Sequence, residues 1–398
     1  MIKKYLLLMI CCFLFLLVLA VPVWAAPSIS GKGAVLIDAT NGQVLYDRQK
    51  DEKLPPASTT KILTAIIAIE SGRLEDMVTI GPNPPRVEGT RVYLREGEQI
   101  KMRELVLAAL IHSANDAALA IAEYLAGSEA GFAGMMNAKA QQIGAQNSNF
   151  VNPHGLSVED HYSTAFDLAL IGQYCMNNDT FREVVKAKVL DWEGQDWQTR
   201  LININKLLWT YEGANGIKTG YTKESKNTIV ACAEREGRSY LAVVLGSTGD
   251  QIWQDAAKLL DYGFEHFQQL ELANPAKVAA AVNIDDKTGL LLVPAEPFYL
   301  SLPRGEDNKV ESRVILNSWK SIKKGETAGE IVFYLDGQET GRVPLLAGNN
   351  VSSFKISGVF VYTGAGLFFL QVVFRVYRMY KRKRRSSYRV GPYYRSHY

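Results

Sequence analysis

Apolar positions along this chain recur with two different periods, and the change from one to the other divides it. Gly33–Asp38 and Gln43–Asp47 are short apolar runs separated by Ala39-Thr40-Asn41-Gly42, which predicts a hairpin. From Ile62 the spacing becomes helical, with Ile62, Ala65, Ile66 and Ile69 on one face. Helical patterns return over 102–112, 117–125, 129–143 and 163–176, with a turn at Asn152-Pro153-His154-Gly155-Leu156. A strand edge at Ile217–Tyr221, flanked by glycines, precedes two apolar strands at 228–233 and 240–246. A helix follows over 250–267, with Trp253, Ala257, Leu260 and Phe264 on one face. Strands on both sides of a helical block imply an antiparallel sheet flanked by helices, an α+β architecture over 27–267. After Gln268 the texture alternates: runs at 277–284, 290–302, 310–316 and 330–335 are cut by turn clusters. They predict a small all-β domain over 268–350.

The two ends are of a different kind. Lys3 and Lys4 precede an apolar run from Tyr5 to Val23, and Val23-Trp24-Ala25 offers small residues for cleavage, so 1–25 reads as a secretory signal peptide. A second uncharged apolar run covers 356–374, long enough to span a bilayer as a helix. Directly after it, 375–398 carries nine Lys and Arg residues from Arg375 to Arg395. Such a bias holds a tail on the cytoplasmic side, which places the preceding domains outside the cell membrane on a single C-terminal anchor. Setting aside the two leader lysines and the nine tail residues leaves 33 basic against 41 acidic positions, so the overall charge of +3 belongs to the ends. Export removes nucleic acid as a partner and makes the lipid bilayer one. Of four cysteines, Cys11 and Cys12 lie in the leader; Cys175 and Cys232 read as two buried thiols rather than a disulfide.

The chemistry concentrates at Pro55-Pro56-Ala57-Ser58-Thr59-Thr60-Lys61. The prolines end the preceding segment and favour a turn. Ser58 then falls in the first turn of the apolar helix, among free backbone N–H groups. Lys61 lies three residues on, on the same face, within reach of the hydroxyl. Ser58 alone reads equally as a helix cap, and the same S-x-x-K spacing occurs at Ser321/Lys324 and Ser352/Lys355. Only Ser58 opens an apolar helix inside the globular part. Ser113-Ala114-Asn115 stands 55 residues later, and Lys218-Thr219-Gly220 a further 105. Each has a decoy, Ser225-Lys226-Asn227 and Lys287-Thr288-Gly289, the second reading as a plain hairpin turn.

These three motifs, in this order and spacing, resemble the penicillin-recognising serine acyltransferases. Residues 27 to 350 resemble, within that group, the low-molecular-mass D-alanyl-D-alanine carboxypeptidases. The similarity extends to the early hairpin, the Ser113-Ala-Asn-Asp-Ala run, Asn152-x-x-Gly-Leu, the trailing β domain and a C-terminal anchor. It implies the penicillin-binding, β-lactamase-like transpeptidase fold, followed by a β domain and a membrane helix. It implies that Ser58 attacks a D-Ala-D-Ala peptide bond and that neutral Lys61 takes its proton. Ser113 would relay that proton to the departing nitrogen, and Asn115 would hold the substrate amide. Lys218 and Thr219 would bind the terminal carboxylate, with Gly220 beside them. The backbone N–H groups of Ser58 and Tyr221 would form the oxyanion hole. Peptidoglycan stem peptides and β-lactams are the implied partners, with no metal and no cofactor. His112, His154 and His161 stand at no metal spacing and read as structural or surface residues. Three other readings stay open: an endopeptidase acting on cross-linked peptides, a secreted β-lactamase, and a catalytically silent wall-binding protein. The β-lactamase reading lacks a Glu-x-x-Leu-Asn loop between Asn115 and Lys218.

Overall fold

The computed structural model describes residues 26–283, 289–305, 309–351 and 360–363. The chain divides into two compact units between Phe267 and Gln268.

In the first unit β1 (Gly33–Asp38) and β2 (Val44–Arg48) form the early hairpin. A single 3-10 turn, Ala57–Thr60, leads into helix α1 (Lys61–Glu70). Short strands β3 (Met77–Thr79) and β4 (Gln99–Lys101) pair with each other and enclose a long irregular stretch. Helices α2 (Met102–Leu107), α3 (Asn115–Ala126), α4 (Glu129–Ile143) and α5 (Ala165–Met176) follow. Next come α6 (Asp179–Lys186), a hairpin of β5 (Val189–Glu193) with β6 (Gln198–Ile202), and the short α7 (Leu207–Thr210). Strands β7 (Ala214–Thr222), β8 (Lys226–Arg235) and β9 (Arg238–Ser247) precede α8 (Gln251–His266).

The main sheet is antiparallel, in the order β2-β1-β9-β8-β7. Alternation along its strands sends side chains to two separate cores. Val35, Ile37, Val230, Cys232, Leu241 and Val243 pack against α1, α2, α3 and α5. Ala34, Leu36, Ile229, Ala231, Ala242 and Val244 pack against Ile252, Ala256, Leu259, Leu260 and Phe264 of α8. This is the expected sheet with helices on both faces. Helix α1 exceeds its expected stripe: every residue from Lys61 to Ile69 is buried, because other helices surround it. Apolar residues all round a helix are what such a central position requires.

From Gln268 on, the second unit holds all but the first residue of β10 (Phe267–Ala273), then β11 (Ala280–Asn283), β12 (Gly289–Pro294), β13 (Phe298–Pro303), β14 (Val310–Leu316), β15 (Thr327–Leu335), β16 (Gln338–Ala347) and β17 (Phe360–Thr363). Six of them form a sheet in the order β11-β12-β16-β15-β14-β17, while β10 pairs with β13. The run read as 290–302 is two strands, broken at Ala295-Glu296-Pro297. Asn283 pairs with Gly289, so the decoy Lys-Thr-Gly ends a hairpin connection, with Lys287 and Thr288 outside the described residues.

Four residues of the expected membrane helix, Phe360–Thr363, are instead a strand paired with β14; the rest of 356–374, the leader and the basic tail lie outside the described residues. Among the described residues no helix is long and apolar enough to cross a membrane. Cys175 in α5 and Cys232 in β8 are free, buried thiols.

Candidate active site

The turn before α1 is held from three directions. Pro56 presents its carbonyl to two hydroxyls, Thr59 Oγ1 at 2.6 Å and Thr228 Oγ1 of β8 at 3.0 Å. Those bonds fasten the turn to the sheet. On one side lies β7, the sheet edge, where Gly220 leaves no room for a side chain. A Cβ there would sit 2.5 Å from Ser58 N and 2.9 Å from Ala57 Cβ. On the other side Gly155, at φ +85°, approaches so closely that a Cβ would lie 1.9 Å from Ala57 O. Two glycines thus admit the backbone of two other segments to the Ser58 turn.

Lys61 is fully buried, and its amine meets three groups: Ser58 Oγ at 3.0 Å, Asn115 Oδ1 at 2.6 Å and His154 O at 2.7 Å. Burial pushes its pKa well below the ordinary lysine value, the Lys218 charge pushes the same way, and Asp116 opposes them. A neutral amine has two hydrogens and one lone pair. Asn115 Oδ1 and the His154 carbonyl can only accept, and they make the shorter contacts, so they take the two hydrogens. In that state the lone pair is left facing the Ser58 hydroxyl; a protonated amine donates to Ser58 Oγ instead. Sequence spacing brought serine and lysine together; the fold adds the two acceptors that fix the amine beside the hydroxyl.

Asn115 is aligned by its own partners. Its Nδ2 donates to Glu88 O at 2.7 Å, and its backbone N–H donates to Thr90 O at 2.7 Å. That bond uses one of the two Nδ2 hydrogens. Ser113 sits where a wide π turn over Ala108–His112 ends α2, at φ 69°, ψ 29°. The predicted helix over 102–112 therefore does not end regularly. Its last turn opens, and Ser113 takes a left-handed conformation that turns the chain into α3.

Lys218 is buried on β7 and donates to Thr219 O at 3.0 Å. Burial lowers its pKa to about 7. Its charge reaches Lys61, and Gly220 touches the Ser58 turn, so all three motifs converge on one place. Thr219 is buried beside Lys218, whereas the Tyr221 side chain points to solvent at 62% exposure, leaving only its backbone for a role at the site.

Sequence reasoning missed two parts of this arrangement. The first is the His154 carbonyl, the third partner of Lys61, supplied by the Asn152–Leu156 turn. Asn152 Oδ1 accepts from Gly155 N at 2.7 Å, and its Nδ2 donates to Leu156 O at 2.9 Å, which closes that turn. The signal was present in Asn-x-x-Gly-Leu, but a carbonyl has no residue type to recognise. The second is Asp116, fully buried, which accepts from Val92 N, Leu94 N and Ala117 N at 3.1, 3.2 and 2.9 Å. Burial raises its pKa while these bonds oppose the rise.

The histidines fill structural places. His161 Nδ1 accepts from Val151 N at 3.0 Å, which leaves Nε2 to donate to Thr60 Oγ1 at 2.9 Å. Burial lowers its pKa to about 4. His154 Nε2 stands 3.1 Å from Glu129 Oε1, and His112 packs half-buried beside Trp197. Among the described residues no cluster could hold a metal ion.

Residues 21–249 match the family model described as D-alanyl-D-alanine carboxypeptidase, and residues 267–353 match the C-terminal domain of penicillin-binding protein 5. The chain is 33% identical to the D-alanyl-D-alanine carboxypeptidase DacF of Bacillus subtilis, over 79% of its own length and 84% of that protein's. It is 33% identical to DacC of Escherichia coli, over 82% and 85%. Among solved structures, penicillin binding protein 5 from Haemophilus influenzae superposes with a TM-score of 0.73 at 28% identity, over 83% of this chain and all of that one.

Proposed function

The chain belongs to the D-alanyl-D-alanine carboxypeptidase family of serine peptidases, and from that premise we propose how its own residues perform the reaction. The activity is serine-type D-alanyl-D-alanine carboxypeptidase, which releases the terminal D-alanine of a peptidoglycan stem peptide. In our reading Ser58 Oγ gives its proton to the Lys61 lone pair and bonds to the carbonyl carbon of the D-Ala-D-Ala peptide. The developing oxyanion lies between the N–H groups of Ser58 and Tyr221. As the C–N bond breaks, the proton passes from Lys61 through Ser113 to the leaving nitrogen. Water then attacks the ester and loses a proton to Lys61, and as the ester C–O bond breaks Lys61 returns that proton to Ser58 Oγ, which restores the hydroxyl. Lys218 and Thr219 hold the free carboxylate, and the spare Nδ2 hydrogen of Asn115 holds the amide on the acyl side. A β-lactam enters the same site and acylates the same oxygen.

The observation that carries this reading is the buried Lys61 amine, shared by two fixed acceptors and the Ser58 hydroxyl. The test is Ser58→Ala, which should abolish both D-alanine release and labelling by a fluorescent penicillin while thermal unfolding stays cooperative. Covalent label that persists in this variant refutes the assignment.

Secretion and membrane attachment complete the proposal. Their support is compositional: the lysine-led apolar leader, and an uncharged run followed by nine basic residues. Pairing of Phe360–Thr363 with β14 competes with a spanning helix for the same four residues. Residues 364–374 alone are too few to cross a bilayer, so attachment through them lies at the membrane surface unless the strand is released. Truncation after Thr363 should release an active enzyme into the soluble fraction. A truncated protein that still sediments with membranes would rule out the tail as the anchor.

A further inference from the structure

Beside Asn115 the chain is laid down in an unusually constrained way. Glu88 O and Thr90 O bind Asn115, and Asp116 binds Val92 N and Leu94 N. Tyr93 lies between these two pinned neighbours at φ 60°, and its side chain is 53% exposed. A bulky residue in the left-handed region is costly, and a loop with no use for the ring would take glycine or asparagine there. The ring is not loose. Trp197, at the tip of the β5–β6 hairpin, meets it edge-on, with centroids 5.3 Å apart and planes at 89°. The Trp197 ring also touches that of His112, the residue before Ser113, at 5.8 Å.

The hairpin tip is fastened to the Tyr93 loop by polar bonds. Arg95 pairs with Asp196. Glu98 accepts from Arg95 N at 2.9 Å through one oxygen and from Gln195 N at 2.8 Å through the other. Two surface loops distant in sequence are thus clamped so that two aromatic rings stand together. The pair is joined to the Ser113-Ala114-Asn115 segment at both ends, through the His112 ring before it and through Asp116 after it. The Arg91 guanidinium lies 5.3 Å from the Tyr93 ring centre, and Tyr93 remains half exposed beside it.

We propose that Tyr93 and Trp197 form an aromatic shelf on the acyl side of Ser58. It selects substrates and β-lactams by the apolar group attached through the amide next to the reacting carbonyl. For a stem peptide that group is the aliphatic side chain of the residue preceding D-Ala-D-Ala; for a penicillin it is the acylamino substituent. This rests on the reading of Ser58 as nucleophile and Asn115 as the acyl-side anchor. Tyr93 is a specificity-determining residue and takes no part in bond making.

The test compares acylation of the full chain by benzylpenicillin, which carries a phenylacetamido group, with that by 6-aminopenicillanic acid, which has the same bicyclic core and no such group. The quantity read is the ratio of the two second-order rate constants. Tyr93→Ala should lower that ratio by about fivefold to tenfold, the size of one lost aromatic contact. Tyr93→Gly, which suits the positive φ, should do the same, while Tyr93→Phe should keep the wild-type ratio. Trp197→Ala should shift it in the same direction. An unchanged ratio in Tyr93→Ala and Tyr93→Gly overturns the shelf, as does an equal fall in both rates, which marks a structural role. Absence of any acylation of wild type by either compound overturns the nucleophile assignment itself, and is distinguishable from the first two outcomes.

Discussion

Replacing Gly220 by alanine adds one methyl group at the tightest place in the site. The new Cβ would stand 2.5 Å from Ser58 N, 2.7 Å from Thr228 Oγ1 and 2.9 Å from Ala57 Cβ. Ordinary contact begins near 3.4 Å, so the edge strand and the Ser58 turn must part by about 0.9 Å. Two of the three neighbours belong to the turn itself, which is fastened to β8 through Pro56 O. The displacement therefore falls between Ser58 and the strand that carries Lys218, Thr219 and the Tyr221 N–H. A misplacement near 1 Å costs about a hundredfold in rate, equivalent to about 2.7 kcal/mol of transition-state stabilisation. Overpacking of this kind costs about 1–3 kcal/mol of stability. Gly172→Ala is the control. A Cβ there would stand 2.9 Å from Leu241 Cδ1 and 3.1 Å from Val230 Cγ1, side-chain ends in the layer between α5 and the sheet. Stopped-flow acylation by a chromogenic β-lactam should fall about a hundredfold in Gly220→Ala and stay within about threefold of wild type in Gly172→Ala. Thermal unfolding of both should show a lowered Tm. Gly220→Ala acylating within about threefold of wild type would refute the view that this edge contact sets the geometry of the nucleophile.

The remaining predictions concern the two buried lysines and the carboxylate. A peptide ending in D-alaninamide should be hydrolysed about ten to a hundred times more slowly than the free acid, because a charge-assisted bond contributes about 1.5–3 kcal/mol. Thr219→Ala should narrow that gap; equal wild-type rates on both peptides would move the carboxylate site elsewhere. Since the base must be neutral, kcat/KM should rise with pH through the lowered pKa of Lys61. With the free acid it should fall again above about 7, where Lys218 loses its proton. The alkaline fall should be absent for the amide; an equal fall with both peptides refutes this role for Lys218. Because the folded pKa of Lys218 is depressed to about 7 from 10.5, the unfolded chain binds the extra proton between those values, and stability rises with pH there. Wild type measured against Lys218→Met should show a difference in slope of about 1.4 kcal/mol per pH unit; parallel curves would show Lys218 charged in the fold.

Periodicity was enough to locate α4, whose observed bounds equal the expected 129–143, and the hairpin of β1 and β2. Both carry their pattern in local spacing. The β5–β6 hairpin escaped notice because only Trp192 and Leu201 are buried in it, while its exposed positions mix Val189 and Ile202 with charged and polar residues. Strand β16 was hidden by Gly341 and Pro344 within it, residues that argue locally against a strand and are overruled by pairing on both sides. Helix α2 appeared longer than it is, because the π turn at Ala108–His112 keeps apolar residues buried while its hydrogen bonds are of the wider π kind, not α-helical. At the site, Ser58, Lys61, Asn115 and Lys218 were legible because side-chain chemistry has a residue type. The carbonyls of His154, Glu88 and Thr90, and the clash that makes Gly220 necessary, were not, because they depend on backbone brought from elsewhere in the chain.

The two buried thiols give this enzyme a built-in record of its own breathing. Cys175 lies in the helical layer and Cys232 on the inner strand β8, and burial raises both pKa values, that of Cys232 to about 11. A thiol so placed reacts with alkylating reagents only when its surroundings open, so the alkylation rate counts opening events. The two positions report on different elements of the same unit: one on helix α5, the other on the sheet that carries Lys218 at its edge. Mass spectrometry after timed alkylation, with and without a covalently bound β-lactam, would then show whether acylation of Ser58 quietens the helices, the sheet or both. The measurement needs no engineered label and leaves the active site unaltered.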